Sequence, residues 1–380
     1  MSSRRRQACV FEGYGGPYSL FTGKARSYLI KQGIPHKELA PTTEHYVNDV
    51  LPIVHRWKLP TLELPNGEFI QDSTLIIDHF EKQSHISSAL PETPKQKIVS
   101  LLFDVMGLEG LMRPAMHYRW NYREENDYFL EQGFSTLFHP RDGDPKARLK
   151  VFMDELWQAC RDLGATQETS SAVESAYEEL LVLLNKHFSI YPYLLGGKPS
   201  IADFGLIAPF YGHLSRDPYP SMLMKKSAFH VFRWTERMNR SESDMGEYPT
   251  MSETFIENDH IPETLKAILS KIGEDFVPES LAVAEFINRW IESNNPVAGE
   301  TLVKRNLGMI EFDFRGVKVR APSQPWRFFL LARMQKAYAE LTASDQQSVK
   351  ELLTEMKLDP LLSLTIKRDI KRHDHLEVWG

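Results

Sequence analysis

The stretch PYSLFTGKAR, residues 17 to 26, stands between a short apolar run, Ala8 to Phe11, and SYLIKQGI, which continues as the body of a helix closed by Gly33. A strand, a turn ending in Ser19, and a helix carrying a second hydroxyl at Thr22 make the pattern of an N-cap at a strand-to-helix junction. A helix start leaves backbone N–H groups without partners and carries partial positive charge, so the same place suits a side-chain oxygen or an anionic ligand. Both readings of Ser19 stand at this point.

Working outward, ACVFEGY reads as a strand, Thr22 to Gln32 as a helix and HKELAP as a second strand. HYVNDVLPIVHRW reads as a short irregular helix broken at Pro52. TLEL and EFI then flank Pro65-Asn66-Gly67, a strong hairpin turn, and a helix opens at Ser73. The order βαβ, α, ββα describes a small mixed sheet with helices on its faces. From about residue 92 the apolar period becomes helical, as in Leu101, Leu102, Val105, Leu108 and Met112, and again over 151–163 and 172–187. A polar, turn-rich run over 239–254 reads as a linker. Beyond it come helix candidates Pro262 to Ile272 and Glu279 to Ser293, a hairpin in MIEFDFRGVKVRAP, and helices Trp326 to Leu341 and Ser344 to Met356. The fold class is α+β in three regions: a mixed domain over 8–88, an all-helical domain over 92–240 and a mainly helical extension with a hairpin over 255–380.

Composition narrows the function. The 380 residues are 42% apolar and 25% charged, ordinary values for a globular protein. A net charge of −6 argues against a general nucleic-acid binder. Cys9 and Cys160 fit no C-x-x-C or zinc spacing, the thirteen histidines are dispersed, and nothing points to a metal. The basic N-terminal run lacks the ~7 to 15 apolar residues of a secretory signal, and no apolar run approaches the ~18 of a membrane span. The expectation is a cytoplasmic protein with no membrane partner.

Three separated stretches carry a resemblance. Ser19-Leu20-Phe21-Thr22 stands where a thioredoxin fold carries its redox C-x-x-C, and without a thiol at either end the site cannot form a mixed disulfide. KLPTLEL resembles the V-P-x-L element of the glutathione transferase superfamily, and QDSTLIIDHFE resembles its E/Q-S-x-x-I helix start. KPSIADFGL matches the family's S/T-x-x-D capping box, with Ser200 and Asp203 in a structural role. The resemblance covers roughly residues 8 to 240. It implies a thioredoxin-like domain that binds glutathione as co-substrate, followed by the helical domain. It also implies a cis Pro60 that exposes the backbone of Leu59 to the cysteinyl part of glutathione, and a γ-glutamyl group held at Asp72 and Ser73. Asp72 stands where the family more often has Glu or Gln.

The implied activity is attack by an ionised glutathione thiol on a small electrophile, apolar or aromatic, with Ser19 as activator. Tyr14 is the alternative activator, because some family members carry a catalytic tyrosine at the end of the first strand. Ser73 reads as an N-cap that also offers its hydroxyl and N–H to a carboxylate. In RPAMHYRWNYREENDYF, residues 113 to 129, Tyr118, Trp120 and Tyr122 read either as walls of a second-substrate pocket or as core. Lys24 and Arg26 read as surface charges. The rival reading is a non-catalytic binding or assembly module that acts through the extension, and a homodimer is compatible with either. The extension's helix PWRFFLLARMQKAYAEL is too apolar to stay uncovered and is expected to pack on its own chain's helical domain.

Overall fold

The structure, a computed structural model, describes residues 10–83, 86–138, 143–302 and 305–380. Cys9 and the basic N-terminal run lie outside the described residues. The first region builds a four-stranded sheet from β1 (Phe11–Tyr14), β2 (His36–Leu39), β3 (Thr61–Glu63) and β4 (Phe69–Gln71) in the order β2-β1-β3-β4. β1 and β2 are parallel, with Phe11 opposite His36. β1–β3 and β3–β4 are antiparallel, with Thr61 opposite Gln71. Helices α1 (Leu20–Lys31), α2 (Leu51–Val54) and α3 (Ser73–Glu81) complete it. The short irregular helix is present over 44–54: a π turn at Tyr46–Val50 runs straight into α2, and the run passes through Pro52 to Val54 instead of breaking there.

The second region is helical: α4 (Pro94–Val105), α5 (Met112–Trp120), α6 (Arg123–Ser135), α7 (Pro145–Asp162), α8 (Ser170–Phe188), α9 (Ile201–Pro209), α10 (Pro218–Ser227) and α11 (Phe229–Arg237). The Ser200/Asp203 capping box opens α9 as read. α9 crosses α4 so closely that a Cβ on Gly205 would stand 2.5 Å from Asp104 Cα. A Cβ on Gly212 would likewise meet Leu20 Cα at 2.6 Å, so glycine there lets the start of α1 seat on the helical region. The run 239–254 has no helix or strand but is pinned: Arg237 Nε donates to the Asp244 carbonyl at 2.8 Å, and Arg233 Nε to Glu247 at 2.8 Å.

The last region contains α12 (Glu263–Asn294), the hairpin β5 (Met309–Phe314) and β6 (Val317–Pro322), then α13 (Trp326–Ala339) and α14 (Ala343–Glu355). A second hairpin, β7 (Ile370–His373) and β8 (Leu376–Trp379), ends the chain. Two departures from expectation stand out. The two helices read on either side of Pro278 are one helix of 32 residues with that proline inside it, and the terminal hairpin went unread. As expected, α13 packs on α4, burying Phe328, Leu331 and Met334.

Lys24, read as a surface charge, is wholly buried instead. Its Nζ donates to Asp104 Oδ1 at 2.5 Å and to Thr74 Oγ1 at 2.8 Å. Arg333 of α13 donates to the other oxygen of Asp104 at 3.0 Å and through Nε to Asp78 of α3 at 3.1 Å. One carboxylate thus joins all three regions. Removing a partner from a buried ion pair leaves an uncompensated charge and costs about 3–5 kcal/mol. Asp104→Ala is expected to lose stability on that scale in urea unfolding, with Asp104→Asn in between; a loss below about 1 kcal/mol would show that packing alone holds the regions together.

A second stability effect depends on pH. His187 is fully buried between α8 and α12, with Nδ1 2.8 Å from Thr264 Oγ1, and burial pushes its pKa down to about 4. Between that value and the ordinary ~6.5 the unfolded chain takes up a proton that the folded chain refuses, so stability falls as pH falls through this window, by up to about 3 kcal/mol. The loss between pH 7 and about 4.5, read from urea midpoints, is expected to be smaller in His187→Gln than in the parent. Equal losses would assign the acid sensitivity to other groups.

Candidate functional site

Ser19 caps α1: its Oγ accepts from Thr22 N at 3.3 Å, and its backbone is extended, at φ −86° and ψ 123°. The half-buried hydroxyl donates to no acceptor among the described residues. Ser19 lines two adjoining cavities. One, of about 530 Å³, is also walled by Leu59, Gln71 and Asp72. The other, of about 250 Å³, is lined with Leu59, Met116, Trp120, Phe134 and Leu156 and is mostly apolar. A helix start with a free hydroxyl proton therefore faces the junction of a larger chamber that carries charged side chains and a smaller apolar one.

The Leu59–Pro60 peptide is cis, as read from the sequence, and Leu59 lines both chambers while Pro60 is buried behind it. Gln71 Nε2 donates to the carbonyls of Arg56 and Lys58 at 2.8 and 3.1 Å, fixing the segment before Leu59. The start of α3 corrects the sequence reading. Asp72, not Ser73, is the N-cap, with Oδ1 accepting from Thr74 N at 2.8 Å and Leu75 N at 3.4 Å. Asp72 holds φ at +105°, a region L-residues rarely adopt at a cost of about 1–3 kcal/mol. Ser73 is the first helical residue; its Oγ is buried without a hydrogen-bond partner among the described residues, and it lines neither chamber.

Tyr14 does not belong to this constellation. Its ring is fully buried against Tyr46, 5.0 Å between centroids, and its hydroxyl donates to Glu63 at 2.9 Å. Burial first, then Glu63 and Glu12, hold the phenol further from ionisation than a free tyrosine. The aromatic trio of α5 and its C-terminal flank divides. Trp120 lines the apolar chamber. Tyr118 and Tyr122 are packed in a stack with Tyr219, the last two rings 3.6 Å apart, and Tyr122 donates to Glu174 at 2.7 Å. They support the helical region and wall neither chamber.

The extension supplies residues that the sequence reading missed. Arg305, Trp326, Arg372 and Glu377 line the larger cavity. Glu377, on β8, accepts from Lys58 at 2.5 Å and from Arg56 at 2.9 Å, and Arg372, on β7, donates to the Gln71 carbonyl at 3.2 Å. Lys58, Arg372 and Arg56 hold the Glu377 carboxyl below the usual range despite its burial, which works in the opposite direction. The signal was a ten-residue alternation, IKRHDHLEVW, too charged to stand out as a buried hairpin.

The family model for the glutathione S-transferase N-terminal domain matches residues 14–88, and that for the C-terminal domain matches residues 127–242. The chain belongs to the glutathione transferase superfamily, and residues beyond 242 lie outside both matches. Similar solved structures include glutathione transferase GSTFuA3 of Phanerochaete chrysosporium, at 13% identity over 61% of this chain and 97% of that one, with a TM-score of 0.43. Another is the beta-etherase LigF of Sphingobium sp. strain SYK-6, at 16% identity over 63% and 98%, with a TM-score of 0.44. A third is a glutathione S-transferase of Methylobacterium radiotolerans in complex with glutathione sulfonate, at 15% identity over 65% and 98%, with a TM-score of 0.37. No curated protein matches the chain. Among the described residues no helix is long and apolar enough to cross a membrane.

The shared carboxylate makes the terminal hairpin's docking testable. Glu377→Ala leaves Lys58 and Arg56 without their acceptor, and amide exchange over residues 370–379 is expected to speed up at least tenfold, with 61–71 little changed. Unchanged exchange would mean that the Trp290–Trp379 stack, 5.6 Å between centroids, and the backbone bonds of β8 to residues 299–302 hold the hairpin without the carboxylate.

Proposed function

We propose that the chain is a glutathione-dependent transferase that binds glutathione in the larger cavity and ionises its thiol at Ser19 for attack on an electrophile held in the apolar chamber. The observation that carries the reading is Ser19 itself, a helix N-cap with an uncommitted hydroxyl proton at the junction of the two chambers. A free thiol near pKa ~8.5 is only a few per cent ionised at neutral pH, and lowering it by ~2 units takes ~2.7 kcal/mol. One charge-assisted hydrogen bond, ~1.5 to 3 kcal/mol, together with a helix-end field of ~0.3 to 1, is enough. The thiol proton goes to solvent, Ser19 donates a hydrogen bond to the sulfur anion, and the sulfur pair forms the new bond to carbon. Conjugation, thiolytic cleavage and isomerisation share this first step.

Leu59 and Asp72, which wall the larger cavity beside Ser19, favour a peptide-like ligand there, with the helix start at Asp72–Ser73 as a source of positive potential behind the wall. The electrophile is small and largely apolar, as the lining of the second chamber by Met116, Trp120 and Phe134 favours. The extension turns Arg305, Trp326, Arg372 and Glu377 inward to the cavity, which favours the enzymatic reading over an assembly module working through an outward surface.

Calorimetry is expected to detect glutathione at millimolar concentration or below; no binding there removes the reading. In the complex, Ser19→Ala is expected to raise the bound thiol's pKa by roughly 1–2 units, followed by thiolate absorbance, while Thr22→Ala and Tyr14→Phe move it far less. A large shift in Tyr14→Phe with none in Ser19→Ala would overturn the assignment.

A further inference from the structure

The larger cavity has a cationic wall, and glutathione, with two carboxylates against one ammonium, draws on part of that charge. Of its charged lining residues, Lys58, Arg148, Arg305 and Arg372 are cationic and Asp72 and Glu377 anionic. Both anions are committed within the protein, Asp72 to the first turn of α3 and Glu377 to Lys58 and Arg56. Arg372 is held by the Gln71 carbonyl and lies 5.7 Å over the Trp326 ring, and Arg148 lies 5.1 Å over Phe138. Arg305 differs. It makes no hydrogen bond or ion pair with any described residue, is exposed at the cavity rim, and holds its guanidinium 5.8 Å from the centre of the Phe21 ring. Phe21 is two residues past Ser19, and its ring lines both chambers.

We propose that Arg305 is the specificity residue for the electrophile: it receives a carboxylate carried by that second substrate, so that the preferred electrophiles are aromatic or apolar acids. This rests on the glutathione-dependent reading given above and adds the class of second substrate. The physical argument is one of supply. A guanidinium presents a planar fork of N–H donors that matches a carboxylate in two parallel hydrogen bonds, and stacking on an aromatic face holds that fork in place without occupying its donors. Its position over Phe21 puts the fork beside the passage between the chambers. An electrophile with its ring in the apolar chamber and its carboxylate toward Arg305 would have its reactive carbon near Ser19. When such a substrate is an aryl halide, the glutathione sulfur forms a bond to the ring carbon, the carbon–halogen bond breaks, and the halide leaves with the electron pair; Arg305 takes no part in the bond changes.

The test uses the full chain and two matched electrophiles, chlorodinitrobenzene and the same ring bearing a carboxylate, chlorodinitrobenzoate. In the parent protein kcat/KM is expected to favour the carboxylate. In Arg305→Ala that preference falls by roughly ten- to hundredfold, mainly through KM for the carboxylate, and Arg305→Lys restores part of it. The glutathione Kd by calorimetry is expected to stay within about twofold of the parent. A parent with no preference, or a preference unchanged in Arg305→Ala, overturns the proposal. A glutathione Kd raised tenfold, with both electrophiles slowed alike, also overturns it and gives Arg305 to a carboxylate of glutathione. A binding arm without glutathione separates this idea from the reading it rests on: unreactive dinitrobenzoate is expected to bind the parent more tightly than dinitrobenzene and to lose that margin in Arg305→Ala. Failure of glutathione to bind while this margin persists refutes the transferase reading and leaves Arg305 as an anion site.

Discussion

The carboxylate of Asp104 is the constraint on which the arrangement of the site depends. It sits on α4 with almost no exposure and takes a lysine from α1 on one oxygen and an arginine from α13 on the other. Ions taken out of water cost several kcal/mol each, so such a group is tolerated only where every partner is in place. The geometry is therefore close to all-or-none. Lys24 fixes the rotation of α1, the helix whose first turn holds Ser19, and Arg333 continues to Asp78 on α3, the helix capped by Asp72. Both helix starts that reach the larger chamber are thus tied to one buried anion.

A second carboxylate does for the cavity wall what Asp104 does for the core. Glu377 lies next to the chain's end, yet it neutralises Lys58 and Arg56 immediately ahead of Leu59. Without it Lys58 would stand unpaired at the chamber wall, and the segment 56–58 would be held by Gln71 and by the bond from Arg56 to the Leu302 carbonyl. The extension thus contributes in two ways: α13 covers the apolar side of α4, and β7 and β8 finish the electrostatics of the wall. A cavity built from three regions takes its character from all of them, and the family resemblance accounts for only two.

The division between what sequence reveals and what it hides follows the range of the interactions. Elements specified by their own periodicity or turn residues were legible: the strands and helices of the first region, the capping box at Ser200, and the hairpin whose Arg315-Gly316 turn takes positive φ at both positions. Ser19, Leu59 and Asp72 were legible because local motifs carry them. Lys24 was not, since its partner is 80 residues away and an isolated lysine in a helix reads as solvated by default. Tyr14 misled for a related reason: its place at the strand end is readable, but the face it takes is decided by Tyr46 and Glu63. The helix through Pro278 was cut in two because proline removes one backbone bond, a local cost that burial of Ile272, Phe276, Val283 and Ile287 along the same face outweighs.

The terminal hairpin shows the same principle at the site. Asp374 and His375 make its turn with positive φ at both positions, at 47° and 61°. Aspartate accepts that conformation readily and histidine less so, so the turn signal is weak and tertiary contacts must hold the register. Some of those contacts reach the cavity wall, Arg372 to Gln71 and Glu377 to Lys58; others, the stack of Trp379 on Trp290 and the backbone bonds of β8 to residues 299–302, lie away from it. A hairpin with little intrinsic preference is thus held in part by the wall of the chamber it lines, and the two stabilise each other. The coupling is reciprocal, because a free energy shared by two contacts can be drawn on from either side. Whatever binds between Ser19 and Glu377 therefore acts on the extension as well as on the helix start that faces it.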